Sequence, residues 1–547
     1  MIKLKIENKT IECESGILGT ELTQYLSRGT KNLMALKVNN ELISVKSKIE
    51  INANVEGVYS DSKSGIAVYR RSLSFILITA AKKIFPNRTL IIAHSLSKSY
   101  FYYFADGKEL SEKELSLLKE EMKNLIKKNL PITNSYISYE EACELFEKSN
   151  LEKTRLQLEC KCPPRILINT LDGCSDIYFS PLAPSTGEIN IFEITKYDVG
   201  FILRFPSYQD VDKLAEFVDS PKIFEIYRSY KEWGKRIGVT SVPDLNRLII
   251  NRKINDFIDI TETYQAQNYA KVAQQIHDRK NVKVVLIAGP SSSGKTTSAK
   301  KIALHLQALG YNPKVLSLDC YYVGREKNPK DENGNYDYEC LEALDVPLLN
   351  ENLNDLFAGK EIEVPSYNFD LGERYYTGEK MKLKKNDILI MEGIHGLNEK
   401  LTPKVKSEFK FKIYLSALTQ LNLDEHNRIA TSDNRLIRRI VRDSKFRGKS
   451  ASATIAMWDS VQKGELLHIF PFQNNADAML NTALDYEIPV LKVYAVPLLR
   501  AVKPTEKEYA EASRLLRFLD NFDSIPESYI PKQSIVREFI GGSSFHY

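Results

Sequence analysis

Along this chain the spacing of apolar residues changes period several times, and each change marks an element. Ile2-Lys-Leu-Lys-Ile6 alternates in twos, which predicts a half-buried strand, with Lys9–Cys13 as its hairpin partner and a short helix over residues 18–26. Residues 208–280 carry helical spacing, with charged faces over 222–233 and 263–279 and a break at Val242-Pro243-Asp244. Then Val284-Val-Leu-Ile-Ala288 is apolar throughout, the pattern of a parallel strand buried on both faces. Ala299, Ile302, Ala303 and Leu306 resume helical spacing, and Gly310 supplies a stop. Residues 314–319, 387–392 and 409–415 read as further strands of the same sheet.

Candidate chemistry collects where those strands end. Gly289-Pro-Ser-Ser-Ser-Gly-Lys-Thr-Thr297 joins the buried strand to the helix and fits G-x-x-x-x-G-K-[ST], a phosphate-binding P-loop. The cradle is read as Gly289, Ser291, Ser292, Ser293, Gly294, Lys295, Thr296 and Thr297, because its glycines let the backbone curl until successive amides point at phosphate oxygens. Lys295 is placed to reach the β- and γ-phosphates, and the Thr296 hydroxyl to bind Mg²⁺. Asp319 ends the second strand, where ligands of open α/β sheets gather. Phosphoryl transfer to an alcohol needs a carboxylate there to orient the hydroxyl and take its proton. Glu392 ends the third strand and holds Mg²⁺ directly or through water, while Asp387 lies at the wrong end. Arg435, Arg438, Arg439 and Arg442 share one face of a helix and concentrate positive charge there. The plain alternatives are an ordinary turn, two strand-end acids and a solvated basic helix. Strand, loop spacing and helix together favour nucleotide binding.

Composition sets bounds. At 547 residues the chain is too long for one core, and roughly three or four domains are expected. Hydrophobic residues at 43% and charged residues at 27% are ordinary globular values, and 76 basic against 71 acidic residues, a formal +5, make no case for nucleic acid. No apolar run is long enough to span a bilayer, and Met1-Ile-Lys-Leu-Lys-Ile-Glu7 has no signal-peptide core, so no membrane partner is expected and the cytoplasm is the expected location. Of seven cysteines, Cys160, Cys162 and Cys174 form the one local group, without a nearby histidine to complete a zinc site.

Residues 1–62 are a β-rich module in which Ala35-Leu-Lys-Val-Asn-Asn-Glu-Leu42, followed by a strand at Ile49-Glu-Ile51, resembles the TGS domain that opens threonyl-tRNA synthetases. That resemblance implies a β-grasp fold. Residues 63–207, through Ala80-Ala-Lys-Lys-Ile-Phe-Pro86, Phe101-Tyr-Tyr-Phe104, a helix over 114–128 and Asn129-Leu-Pro-Ile132, resemble the α+β editing domain of the same synthetases. The family's editing site uses a His-x-x-x-His and a Cys-x-x-x-His pair. The aligned positions hold Arg71 and Phe75, then Tyr178 and Leu182, so metal-dependent hydrolysis is not expected. The aminoacylation core is absent too, which leaves a fold able to bind RNA, hold an interface or sense a small molecule. Residues 208–280 are read as a helical connector.

Residues 281–547 are read as a P-loop kinase domain with a parallel sheet, and residues 283–493 of it resemble the uridine kinase and phosphoribulokinase family. Ser317-Leu-Asp319-Cys-Tyr-Tyr322 is similar to its catalytic-Asp segment. Tyr336-Asp-Tyr-Glu339-Cys-Leu-Glu-Ala-Leu-Asp345 resembles its ribose-contacting segment, with Glu339 for the usual Asp, and Val364-Pro-Ser-Tyr367-Asn-Phe369 its base-binding segment. The resemblance implies substrate contacts at Tyr322, Glu339, Tyr367 and Arg438, and a lid in which Arg435 and Arg439 stabilise the transferring group. Gly372 stands where uridine kinases place a histidine, leaving room for another base.

The expected whole is an α/β multidomain protein and a homo-oligomer. It is read as a nucleoside kinase using ATP and Mg²⁺, with RNA or a small molecule as the expected kind of ligand for the N-terminal half. ATP is favoured over GTP because no Asn-Lys-x-Asp tetrad occurs. Two alternatives remain: a kinase of another small alcohol, or an RNA-binding or nucleotide-sensing regulator that uses the P-loop as a switch. An intact Asp319 favours the enzyme, since a switch needs no base for an alcohol.

Overall fold

The computed structural model describes all residues except 8, 27–30, 333, 369–370 and 547. At the N-terminus a five-stranded mixed sheet runs Lys9–Cys13, Ile2–Ile6, Ala53–Tyr59, Leu33–Val38, Glu41–Ile43, with its central pair parallel. The alternation of Ile2–Ile6 sends Leu4 and Ile6 into a core with Leu22, Leu36 and Val55. The 18–26 helix is there as Gly19–Leu22 plus a 3₁₀ turn, Thr23–Tyr25. The strand expected at 49–51 ends at Ile49, where Lys48–Ile49 pairs with Ile17–Leu18 and leaves Ile51 exposed.

The next unit is built around the buried helix Lys63–Ile84, capped by Ser62 accepting the Gly65 amide. It packs with Glu112–Lys127 against a four-stranded antiparallel sheet ordered Glu193–Tyr197, Gly200–Arg204, Ser99–Phe104, Leu90–Leu96. The four altered editing positions belong to this packing. Arg71 donates to the Pro181 carbonyl (2.8 Å), Phe75 meets Tyr178 edge-on at 5.3 Å, and Phe75, Tyr178 and Leu182 are buried.

Residues 208–280 depart from the all-helical expectation at their start, where Pro206–Ser207 and Asp210–Leu214 form a small hairpin. Helices follow at Pro221–Ile237, Val242–Ile250 and Ile254–Asp278. Val242-Pro243-Asp244 therefore starts a helix instead of breaking one. Pro243 sits in the first turn, where its missing N–H has no partner to lose, and the Asp244 carboxylate accepts from the Ser241 amide (3.1 Å).

The C-terminal sheet is wholly parallel and ordered Asn312–Ser317, Asp387–Glu392, Val284–Ala288, Lys410–Ser416, Ala478–Asn481. Val284–Ala288 lies at its centre, buried at every residue. A helical layer, Thr431–Arg447, Ala451–His468, Glu487–Arg500, Tyr509–Leu519 and the short Arg537–Ile540, covers the region beside the P-loop.

The loop joining Lys410–Ser416 to Thr431–Arg447 reaches into the editing-like unit. Asn422 donates to the Ile92 carbonyl (2.5 Å), and the Ile92 amide donates to the Glu425 carbonyl (3.0 Å). The Glu425 carboxylate accepts from the Lys153 (2.7 Å) and Thr154 (3.0 Å) amides, supplying an N-terminal cap to the Glu152–Lys161 helix, whose own Leu151 has none to offer. His426 Nδ1 meets Asp176 Oδ2 at 2.8 Å in a buried pair. Burial works against the charged imidazole, but Asp176, Asp424 and Glu425 together outweigh it, and His426 is raised above its usual value.

Candidate active site

The P-loop runs from the end of Val284–Ala288 into the helix Lys295–Ala308. Ser292 (φ 58°) and Gly294 (φ 80°) both adopt left-handed backbone, which turns the intervening amides to one side of the loop. Lys295 Nζ folds back onto the loop and donates to the carbonyls of Gly289 (3.1 Å) and Pro290 (3.3 Å). The Ser292 and Ser293 hydroxyls are buried without a hydrogen-bond partner.

Parallel register brings the strand-end acids to this loop. Glu392 pairs in register with Ser317 and Ile287, so its carboxylate sits beside the loop and accepts from Ser317 Oγ (2.9 Å) and Thr296 Oγ1 (3.2 Å). Burial, then the nearby charge of Asp319, pushes Glu392 up to about 7, against the opposing pull of Lys295. Asp319 lies in the 3₁₀ turn Leu318–Tyr321 directly after its strand, half-buried, with the Ser317 hydroxyl accepting its amide (3.4 Å). Thr296 and Glu392, with Asp319 close by, form an oxygen-rich set beside Lys295, and oxygen donors of this kind fit a hard divalent cation.

The arginine helix Thr431–Arg447 packs directly against the P-loop. Arg435 Nε donates to the Ser291 carbonyl (2.9 Å) and the guanidinium pairs with Glu465, which also accepts the Ser291 amide (3.1 Å). Arg438 is fully buried, bonded to Glu487 (2.5 Å), the Ser292 carbonyl (3.2 Å) and the Thr482 carbonyl (2.8 Å). Arg439 holds the Ser291 hydroxyl (2.9 Å) and Asp443 (3.2 Å). Arg435 and Arg438 hold the P-loop through its carbonyls and Arg439 through the Ser291 hydroxyl, at positions where the sequence led us to expect lid groups (Arg435, Arg439) and a substrate contact (Arg438). The face expected to be a solvated or mobile positive surface is instead neutralised by Glu465, Glu487 and Asp443. Arg447, at the C-terminal end of the helix, lies near enough to Asp319 to feel its charge; burial, then Arg442, lowers it to about 10.

On the acceptor side Tyr322 and Tyr367 face each other with ring centroids 5.6 Å apart, and Tyr322 donates to the Tyr338 carbonyl (3.2 Å). Glu339 packs on Gly464, where an added Cβ would lie 2.3 Å from its own Cβ, and its Oε2 is buried without a partner. Burial, then Glu465, raises Glu339 to about 7, while Arg439 and Lys295 pull the other way. Arg374, not singled out in the sequence, anchors Asp345 (3.0 Å) and the Tyr322 carbonyl (3.3 Å) from the hairpin Glu361–Asn368/Glu373–Lys382. Phe369 lies outside the described residues. Gly372 does not open a pocket: it has φ 74°, and a Cβ there would sit 2.8 Å from Arg325 Nε, so Arg325 already fills the space.

Two acids invisible to motif reading complete the site. Besides Glu465, Glu538 of the C-terminal segment accepts from the Thr297 amide (3.1 Å) and hydroxyl (2.5 Å), and Ile535 covers Gly294, its Cδ1 2.3 Å from where a Cβ would be. A carboxylate thus occupies the helix N-terminus where a phosphate oxygen would bind. No local signal marks Glu538, because it reaches the loop only through the packing of the last helical layer.

A family model described as Phosphoribulokinase / Uridine kinase family matches residues 284–488. A uridine kinase of Staphylococcus aureus (strain Newman) is 33% identical over 178 residues, 32% of this chain and 76% of that protein. The N-terminal region matches threonine–tRNA ligases: that of Streptococcus agalactiae (serotype Ia) is 33% identical over 198 residues, 36% of this chain, and that of Orientia tsutsugamushi (strain Boryong) 32% over 184, 33% of this chain. The chain spans 30% and 28% of the length of those two ligases. Among solved structures, one titled a possible uridine kinase from Bacillus stearothermophilus is 21% identical, with a TM-score of 0.25, covering 37% of this chain and 89% of that one.

Proposed function

The chain belongs to the phosphoribulokinase/uridine kinase family, and from that premise we propose that it transfers the γ-phosphoryl group of ATP to the 5′-hydroxyl of a ribonucleoside. The observation that carries the reading is the meeting of Asp319, Glu392 and Lys295 at the strand ends beside one P-loop. Asp319 orients the acceptor hydroxyl and takes its proton as the phosphoryl group leaves. Lys295 exchanges its two carbonyl partners for phosphate oxygens. Thr296 and Glu392 are the residues that would hold Mg²⁺, which supplies neutralisation of charge on the phosphate oxygens. Arg447 provides positive charge on the Asp319 side, and Arg435, Arg438 and Arg439 keep the cradle rigid before substrate arrives.

For the acceptor, Tyr322 and Tyr367 offer ring surfaces to a base, and the orphaned Glu339 carboxyl is a partner for ribose hydroxyls. Losing one such hydroxyl leaves Glu339 underpaired, at a cost of about 1–3 kcal/mol, so 2′-deoxynucleosides should be roughly ten- to a hundredfold poorer in kcat/KM. The test is ADP release by the full chain with ATP·Mg²⁺ and uridine, cytidine, adenosine, guanosine, inosine or their 2′-deoxy forms. Turnover that needs a ribonucleoside supports the reading; turnover only with a non-nucleoside alcohol removes it. A second reading, a nucleotide-responsive regulator, draws on Glu465 and Glu538, which hold P-loop amides with the chain's own carboxylates. ATP binding without turnover on any acceptor would select it.

A further inference from the structure

A cavity of about 370 Å³ lies between the outer face of the four-stranded sheet and the helix Pro221–Ile237, with Thr419 and Gln420 of the kinase half closing one wall and no P-loop residue in its lining. Its volume falls within the range of small-molecule sites. Phe101 and Tyr103, two apart on one strand, share a sheet face, and Phe224 and Tyr227 come from the helix. These rings make a largely apolar interior.

Two polar groups inside it are left over. The His94 ring stacks on Tyr227 with centroids 3.7 Å apart and planes 9° from parallel, and its Nε2 is buried without a hydrogen-bond partner. Lys231 is half-buried and makes no hydrogen bond or ion pair among the described residues; burial, then Lys235, lowers it to about 8, with Asp485 and Asp244 opposing. An orphaned donor or acceptor and an unpaired cation facing one cavity each carry a desolvation penalty that an anionic ligand relieves. Arg228 and Lys235 stand on the same helix face at the rim, so the field there is positive. Two carboxylates, Asp198 and Glu232, also border the cavity, and they ask for hydroxyl donors on the ligand.

We propose that this cavity is a second ligand site, for a nucleoside monophosphate: phosphate toward Lys231, Lys235 and Arg228, ribose hydroxyls toward the carboxylates, and the flat base against the rings. Inorganic phosphate has no body for the rings, and a fatty acid has no donors for Asp198 and Glu232. The site touches the kinase half directly, because Thr419 and Gln420, in the segment that leads into the arginine helix Thr431–Arg447, line it.

The test is photolabelling of the full chain with 8-azido-AMP, followed by peptide mapping, in wild type and in the Lys231→Gln/Lys235→Gln double variant. The expected result is label on peptides from 90–104 or 221–237, competed by AMP and not by equal inorganic phosphate, with affinity at least tenfold weaker in the double variant. Label confined to the P-loop peptide 289–297, no label at all, or cavity label undiminished in a folded double variant overturns the proposal. Mapping in wild type decides by itself should the double variant not fold.

Discussion

Exchanging Glu538 for glutamine changes one atom in the side chain and tests whether the C-terminal segment competes with nucleotide for the P-loop. In the structure the Glu538 carboxylate accepts from both the Thr297 amide (3.1 Å) and hydroxyl (2.5 Å), at the third residue of the P-loop helix. A phosphate oxygen binding there must displace it. Hydrogen bonds to a charged acceptor contribute about 1.5–3 kcal/mol and neutral ones about 0.5–1.5, and a carboxylate at a helix N-terminus gains roughly another 0.3–1 kcal/mol. Glu538→Gln should therefore lower the cost of displacement by about 1–2 kcal/mol, and it removes a negative charge facing the incoming phosphates. At about 1.4 kcal/mol per tenfold, Kd for a non-hydrolysable ATP analogue should fall roughly five- to thirtyfold by titration calorimetry. Glutamine keeps the side-chain length and an acceptor oxygen, so Ile535 and Phe539 can stay packed. An unchanged or weaker affinity in a variant that melts like wild type would show that Glu538 supports the loop and does not compete for it.

Four further outcomes are expected. Asp319→Asn should lower kcat by about two orders of magnitude or more with ATP affinity nearly intact, whereas Lys295→Ala should lose affinity as well, as steady-state kinetics beside calorimetry will show. Because Glu392 is raised to about 7 and must be anionic to hold a cation, Mg²⁺·ATP affinity should increase from pH 6 to pH 8; the same raised value means its contribution to fold stability falls as pH rises from about 4.5 through 7, and a flat Mg²⁺ titration across that window would remove Glu392 from the metal site. Gly372→His should destabilise the fold by about 1–3 kcal/mol in denaturant unfolding without redirecting base preference, since φ 74° and Arg325 both oppose a side chain there. His426 is raised by Asp176, so its stabilisation is complete below about 6.5 and is lost as pH rises through its folded value; hydrogen exchange in residues 421–428 should quicken in alkaline buffer beyond the intrinsic rate, and His426→Gln should abolish that pH dependence.

What was legible in the chain was whatever depends on near neighbours. The P-loop shows itself because strand, glycines, lysine and helix follow one another closely in sequence, and Asp319 and Glu392 show themselves because one directly follows a strand and the other closes one. The hairpin at 206–214 was hidden because Asp210–Leu214 has no apolar alternation to report: it is held by backbone pairing at a polar surface. The arginine face was legible as a face, but its meaning depended on Glu465, Glu487 and the loop carbonyls, which only tertiary packing brings to it. Glu538 lies more than two hundred residues from Thr297, so no spacing rule links them.

The same packing decides how the two halves influence each other. The segment from Ala417 to Ala430 leaves the C-terminal end of a sheet strand, lends Glu425 and His426 to the editing-like unit, and re-enters the kinase as the first turn of the arginine helix. From Thr431 to Arg435 is one helical turn, about 6 Å of rise, and Arg435 ends on the Ser291 carbonyl. Every link along that path is a buried, geometrically demanding contact: Glu425 on two helix amides, His426 on Asp176, Arg438 on Glu487 and the loop. Close-packed contacts of this kind do not stretch gradually, so a force applied to the N-terminal half either leaves them intact or breaks one. Of these links the His426–Asp176 pair is the proton-sensitive one, because loss of a single proton removes the imidazole's charge. The docked residues 421–428 thus connect the N-terminal half to the P-loop, with the arginines at the far end of that path.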